Sequence, residues 1–231
     1  MNYPNNELMI RYILKLGFRN ILKSKGNTLI NVLCLTLGVT ILMLIAVFVR
    51  NELSIDNFHA NSSNIYKISY GNSSGTPGPL AQTLKSKFPE IKEATHIETH
   101  QMLALSPVLL SNKNAFEISD YYSADSSFIN IFEFQVLQGN IAKALSTPFS
   151  IILTESEANR IFKDINPIGQ SLTWKSHQDF TFNIKAIVKD PPLNSSIQFN
   201  GLISEASVKR MTPYYPDNWG FGVYETYLLL Q

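Results

Sequence analysis

Residues 28–49 read TLINVLCLTLGVTILMLIAVFV, twenty-two positions without a charge, interrupted only by Asn31 and by Thr28, Thr36 and Thr40. At the α-helical rise this stretch is about 33 Å long, enough to cross a hydrocarbon core of about 30 Å. A buried helix of a soluble domain would show a polar stripe over such a length, so the stretch predicts a transmembrane helix. A cleaved signal peptide would have a shorter apolar run ending in a small-x-small site. Here Ala46 is followed by Val47, Phe48 and Val49, which predicts an uncleaved anchor. Within the span, Gly38 flanked by Thr36 and Thr40 is a candidate contact for a neighbouring helix, a pattern common in such helices.

The flanks set a direction. Arg11, Lys15, Arg19, Lys23 and Lys25 precede the span against the single acid Glu7, whereas RNELSID (50–56) carries one base and two acids. By the positive-inside rule the N-terminus stays in the cytoplasm and the chain after Arg50 lies outside. Arg11, Lys15, Arg19 and Lys23 recur at i, i+4, one basic stripe on a helix over 7–24, with Ile10, Ile13, Leu14, Ile21 and Leu22 on the remaining surface. That pattern predicts a membrane-interface helix whose four cations face lipid headgroups, joined to the span by a turn at Lys25-Gly26-Asn27. A small solvated cytosolic helix is the alternative, but so short a segment has nothing else to pack on.

The chain has 231 residues and a net charge of +1. That balance hides an asymmetry: six bases and one acid in residues 1–50, thirteen bases and seventeen acids after them. The basic cluster sits beside the span, where anionic lipid is the expected partner, and no nucleic-acid surface is indicated. The only cysteine, Cys34, is inside the span, so the outer part must be held by its core without a disulfide. The Asn-Ser-Ser triplets at Asn61, Asn72 and Asn194 read as ordinary turn composition rather than glycosylation sites.

Outside the membrane, strand and helix patterns mix. IYKISY (65–70) alternates as a strand; Gly71–Gly78 is a loop; Pro79 suits a helix's first position, with Leu80, Leu84 and Phe88 on the buried face. ATHIETH (94–100) alternates, with Ile97 inward. SPVLLSNKNAF and FEISDYYSA suggest a hairpin turning at 112–114, and SSFINIF is a short helix capped by Asp125. IILTESEANRIF is a strand running into a helix, with Thr154 and Glu157 as a capping box and Ala158, Ile161 and Phe162 buried. DFTFNIKAIV predicts a strand with Phe180, Phe182, Ile184, Ala186 and Val188 on one face. VYETYLLLQ stops within a strand pattern, which predicts either a domain that ends on an edge strand or, the favoured reading, a domain truncated at its C-terminus. The fold class expected is a membrane-anchored α+β protein: residues 1–26 an interfacial helix, 27–50 the span, and 51–231 a mixed α/β domain.

The order of motifs resembles the N-terminal part of bacterial ABC-transporter permeases of the MacB/FtsX type, especially those common in Bacteroidetes. The matching stretches are RNILKSKGNTLINVLCLTLGV, ELSIDNFHANSSNIYKI, TPGPLAQTLKSKFPEI, FEFQVLQGN, ALSTPFSIILTESEANRIF, NPIGQSL, IVKDPPLNSSIQFNGLIS and NWGFGVYETYLLL. Members of the family usually carry an aromatic where this chain has Ile55, a neutral departure. The resemblance implies an inner-membrane protein with its main domain in the periplasm, built of an α/β porter-like lobe and a β-rich lobe, with further spans to follow. It also implies a permease dimer, a cytosolic ABC ATPase subunit as partner, mechanotransmission for export or envelope work, and a periplasmic adaptor or envelope protein as a further partner. GNSSGTPG lacks the Lys-Ser/Thr of a phosphate-binding loop, so the ATPase would be another polypeptide and no cofactor is expected.

Chemistry in the outer domain finds little footing. His96, Glu98 and His100 at i, i+2, i+4 would share a strand face and could begin a zinc site, but no further ligands are evident, and the polar outer face of a half-buried strand is the plainer reading. Asp56 and His59 could form a catalytic pair; capping and solvating the end of the span is the plainer role. No catalytic, cofactor or metal residue is therefore assigned, and Trp174, Trp219 and Tyr224 are expected in the core. Beside the permease reading stand a single-pass anchored binding or sensor domain without transport and, with less support, an anchored periplasmic hydrolase.

Overall fold

The computed structural model describes residues 6–69, 75–99, 108–111, 114–117, 119–175, 178–212 and 217–231. They fall into two compact units, 1–54 and 55–231.

The first unit is two helices, α1 (Asn6–Lys23) and α2 (Lys25–Leu53). Arg11, Lys15 and Arg19 are exposed along α1, with Lys23 at its end. The expected turn at Lys25-Gly26-Asn27 is displaced: Ser24 alone is non-helical, and Lys25, Gly26 and Asn27 belong to α2. The Thr28 N–H already donates to the Ser24 carbonyl at 3.0 Å, so the first helical bond closes before Gly26 can interrupt it. A glycine costs a helix only about 1 kcal/mol, which the long run after it outweighs. At 29 residues α2 is about 44 Å long and buries none of its side chains. It ends where the Ser54 N–H and hydroxyl both turn back to the Asn51 carbonyl, at 3.1 and 2.8 Å.

The second unit runs β1 (Ile65–Ile68), β2 (Thr76–Pro77), α3 (Leu80–Lys87), β3 (Ile91–Thr99), β4 (Val108–Ser111), β5 (Asn114–Glu117), β6 (Tyr121–Ala124), α4 (Phe128–Ile131), β7 (Val136–Gly139), α5 (Ile141–Ser146), β8 (Ser150–Thr154), α6 (Glu155–Phe162), β9 (Ser171–Lys175), β10 (Phe180–Val188), β11 (Gly201–Ser204), α7 (Glu205–Met211) and β12 (Gly222–Leu230). The strands form one mixed sheet in the order β1-β12-β3-β6-β11-β8-β10-β9-β4-β5, with β2 added beside β12 and β7 beside β10. Among the described strands only β6/β11 and β8/β10 pair in parallel. The all-antiparallel β9-β4-β5 end is the β-rich part and the helix-covered remainder the α/β part, but the ladder between them is unbroken.

Both sheet faces are covered. Ile97, Ala124, Ile152, Leu202 and Tyr227 pack with α4 and α5, while Tyr121, Ile151, Leu153 and Ile203 pack with α6 and with Val208 of α7. Every residue of β8 is therefore buried, as an apolar strand with helices on both sides should be. The two-sided cover also corrects the reading of β3. His96 and Glu98 are 4 % and 0 % exposed, not on a solvated outer face, because β3 lies between β12 and β6 with α3 packed against it. His100 lies outside the described residues.

Four other expectations are modified for local reasons. In β10 a register shift between Ile184 and Ala186 adds one residue, so Phe182 and Ile184 join one core layer and Ala186 and Val188 the other. The bulge is accommodated by Gly139 at φ +81°: a Cβ there would lie 2.1 Å from the Lys185 carbonyl oxygen. In α3, Phe88 is the extended C-cap and 49 % exposed, and Ala81 fills the buried place. Ser127, not Asp125, is the N-cap of α4. Finally, β12 is not an edge: it is hydrogen-bonded to β1 on one side and β3 on the other. Trp174 and Tyr224 are fully buried as expected, whereas Trp219 is 55 % exposed.

The Thr154–Glu157 capping box is realised by half. The Thr154 hydroxyl accepts from the Glu157 N–H at 3.4 Å, but the Glu157 carboxylate does not reach back. It accepts instead from the Tyr121 hydroxyl at 2.7 Å and from Arg160 Nε and Nη2, both at 2.6 Å. Arg160 in turn donates to the Glu117 carbonyl at 3.1 Å, tying the β4–β5 hairpin to α6.

Candidate functional site

Because β6 and β11 are parallel neighbours in register, with Ala124 opposite Ser204, the residues just after them, Asp125 and Glu205, emerge at one edge of the sheet. The space outside the carboxyl ends of adjacent parallel strands is a recurrent ligand position in α/β sheets. Here it is a cleft of about 570 Å³ between α3, α5 and α7, lined among others by Gln82, Thr83, His96, Asp125, Glu205 and Lys209.

Its electrostatics are internally paired. His96 Nε2 lies 3.1 Å from Glu205 Oε1, and Lys209 Nζ lies 3.3 Å from the same oxygen and 3.9 Å from Asp217 Oδ1. Burial pushes the Glu205 carboxyl up, but the hydrogen bond and charge of His96, helped by Lys209, leave it below its ordinary value. Asp125 accepts a short hydrogen bond from the Thr95 hydroxyl, yet burial outweighs that bond and the nearby His96, so its carboxyl is held above the ordinary value. The His96 ring meets Tyr224 edge-on at 4.7 Å. Burial, reinforced by the charges of Glu98, Glu205 and Asp217, raises the Tyr224 phenol far above its ordinary value. Among the described residues His96 bonds no hydroxyl that it could activate, and no group of three or more His, Cys, Asp or Glu is placed to hold a metal.

The sequence placed His96 and Glu98 on one face, and the register with Thr226 and Tyr224 agrees. It missed Glu205 and Lys209 and read Asp125 only as a cap. The available signal was the parallel between YYSA-Asp125 and GLIS-Glu205, two short buried strands each ending in an acid.

The other candidates are structural in this fold. Asp56 sits at φ 58° and does not cap α2; its N–H donates to the Asn194 carbonyl at 2.9 Å and its carboxylate accepts from the Ser196 N–H at 2.8 Å. His59 is not solvated but 2 % exposed, between Phe58, Phe132 and Phe134, with Nδ1 accepting from the Glu133 N–H at 3.2 Å. In α2 the Thr36 hydroxyl bonds the Val32 and Leu33 carbonyls and the Thr40 hydroxyl bonds that of Thr36, while no atom lies within 4 Å of a Cβ built on Gly38. A separate, mostly apolar cleft of about 690 Å³ lies between Ile68, Leu80, Leu84 and Trp219.

Comparison with known proteins supplies the context. The chain is similar in fold to a domain of a protein described as a permease from Porphyromonas gingivalis, at 22 % identity and TM-score 0.64 over 75 % of this chain and 77 % of that one. It is also similar to the periplasmic region of MacB from Actinobacillus actinomycetemcomitans, at 16 % identity and TM-score 0.53 over 72 % and 73 % of the two chains. A third likeness is to the extracellular domain of the noncanonic ABC-type transporter YknZ from Gram-positive bacteria, at 11 % identity and TM-score 0.51 over 72 % and 82 %. No curated protein matches the chain. A family model described as the MacB-like periplasmic core domain matches residues 28–221, from the first turns of α2 to the start of β12, and the chain accordingly belongs to the MacB-like periplasmic core family.

Proposed function

We propose that this chain is the N-terminal part of a permease subunit of an ABC transporter in a bacterial inner membrane. In this reading residues 1–26 form a cytoplasmic interfacial helix, 27–50 the span and 51–231 the periplasmic domain. A separate cytosolic ATPase hydrolyses ATP, and the movement is carried through α2 to the sheet domain for export or for mechanical work on the envelope. The observation that carries the reading is the family match that runs without a break from an uncovered 29-residue apolar helix into the mixed sheet domain.

The basic stripe Arg11, Lys15, Arg19 and Lys23 would hold α1 against anionic headgroups. Gly38, where a Cβ would meet no atom among the described residues, and the self-bonded Thr36 and Thr40 would leave a smooth patch for another helix, in a permease dimer or within a longer subunit. In the cleft at Asp125 and Glu205 the charges are paired internally, Glu205 with His96 and Lys209, which suits a moving part.

The test is purification of the native gene product from membranes in mild detergent with a non-hydrolysable ATP analogue, followed by mass spectrometry. A nucleotide-binding ATPase in stoichiometric amount is the expected result. Recovery of the subunit without any ATPase would reject the transporter reading in favour of an anchored binding domain.

A further inference from the structure

One large apolar side chain of the sheet domain stands fully in solvent. Leu193 is 102 % exposed, beside the exposed Pro192, on the loop that leaves β10. The loop is firmly built. The Ser195 N–H donates to the Pro192 carbonyl at 2.9 Å, and Gln198 Nε2 donates to the carbonyls of Pro192 and Ser195 at 2.6 and 3.0 Å. Two prolines fix its entry. A leucine held out on a rigid loop gains nothing from water, so its outward placement is not explained by the core of its own domain.

Chain connectivity indicates what it meets. The loop is pinned to Asp56, through the Asn194 carbonyl and the Ser196 N–H. Asp56 is seven residues past Val49, the last apolar residue of the 28–49 stretch. Val49 to Leu53 is helical and rises about 6 Å. The next three residues add at most about 11 Å, and they begin in a turn. By chain length alone Asp56 therefore lies within about 17 Å of Val49, and the loop pinned to it shares that tether. Phe58, 36 % exposed, lines the same cleft as Pro192, together with Lys189 and the acids Glu133 and Asp190. Apolar tips rimmed by charges of both signs suit a headgroup boundary, where apolar groups enter the acyl edge and charged groups stay among the zwitterionic heads.

We propose that Pro192 and Leu193, with Phe58, form a lipid-contact surface that rests in the headgroup region of the leaflet nearest the domain. This rests on the reading of α2 as a span, and the experiment separates the two. The full chain is made with a single cysteine at Cys34 (native), at Leu193 (L193C in a C34A background) or at Trp219 (W219C in C34A). Trp219 is an exposed control before β12, at the opposite end of that strand from Leu229, which pairs with Ile65. Each protein is labelled with bimane in detergent and reconstituted into nanodiscs containing lipids brominated either near the headgroup or deep in the chain.

The expected pattern is deep-bromine quenching at Cys34, headgroup-side quenching with a blue-shifted emission at position 193, and no quenching at 219. Quenching at Cys34 with none at 193 overturns the lipid contact and leaves the span intact. Absence of quenching at Cys34 overturns the span, and the contact with it. Equal quenching at 193 and 219 overturns the assignment of this surface, because the domain would then be touching lipid without preference.

Discussion

Replacing Tyr121 by Phe removes one oxygen and keeps the ring that packs edge-on against Trp174 at 6.1 Å. The lost group is the hydroxyl that donates to Glu157 Oε1 at 2.7 Å, inside a layer where Tyr121 is 0 % and Glu157 4 % exposed. Hydrogen bonds to a charged partner contribute about 1.5–3 kcal/mol. The two bonds from Arg160 survive the change, so the carboxylate stays paired and the loss belongs at the lower end, about 1.5–2 kcal/mol. For a domain of this size that is a fall in Tm of about 3–8 °C. Urea unfolding of the full chain in detergent, followed by near-ultraviolet circular dichroism, would measure it, with Glu157→Gln and the double variant closing a cycle. The two sites should couple by about 1 kcal/mol or more. A change below about 0.5 kcal/mol for Tyr121→Phe, or additivity in the cycle, would refute the claim that this bond helps to hold α6 to β6.

Gly201→Ala should destabilise by about 1–3 kcal/mol through overpacking. The new Cβ would lie 2.4 Å from Tyr121 Cε1, on a ring fixed by Glu157; the same assay on Gly38→Ala, which meets no atom, should show little change. Asp125→Asn keeps an acceptor for Thr95 and removes a carboxyl that burial holds above its ordinary value, so the urea midpoint at pH 7 should hold or rise. A loss above about 1 kcal/mol would show that the ionised form is needed. His59 is held below its ordinary value by burial, against the opposing charges of Asp56 and Glu133. Its unfolded form therefore takes up a proton first as pH falls below about 6.5, and stability should decline from there toward the folded-state value. Midpoints at pH 7.5 and 5.5 should differ less in His59→Phe than in the native chain; an equal difference would place the pH sensitivity elsewhere.

What could be read in the sequence was whatever is encoded within a few residues. The long apolar helix declares itself by length, α1 by its basic spacing, and the β8–α6 junction by a strand pattern that turns into a helical one at a Thr154 cap. What escaped depends on partners distant in sequence. Whether His96 and Glu98 face water is decided by β12, β6 and the helices that cover β3, none of which a local alternation can see. Asp125 and Glu205 meet only because β6 and β11 pair in parallel, and the face-switch in β10 rests on one bulged residue opposite Gly139. Glu157 shows the limit most sharply. Its spacing from Thr154 announced a cap, but a buried tyrosine and an arginine one turn on offered the carboxylate stronger partners.

The placing of β12 bears on how the domain would respond to load. β1 enters the ladder at Ile65 and β12 leaves it at Leu230, and Ile65 is paired with Leu229, so both ends sit at one margin of an antiparallel pair. Tension applied between those two points would open the hydrogen bonds one rung at a time, like a zip, rather than shear the whole ladder together. Force delivered to both points in the same direction would leave the rungs unloaded and carry the domain as a rigid lever. The sheet is thus strong against a common push and weak against a pull between its own two ends.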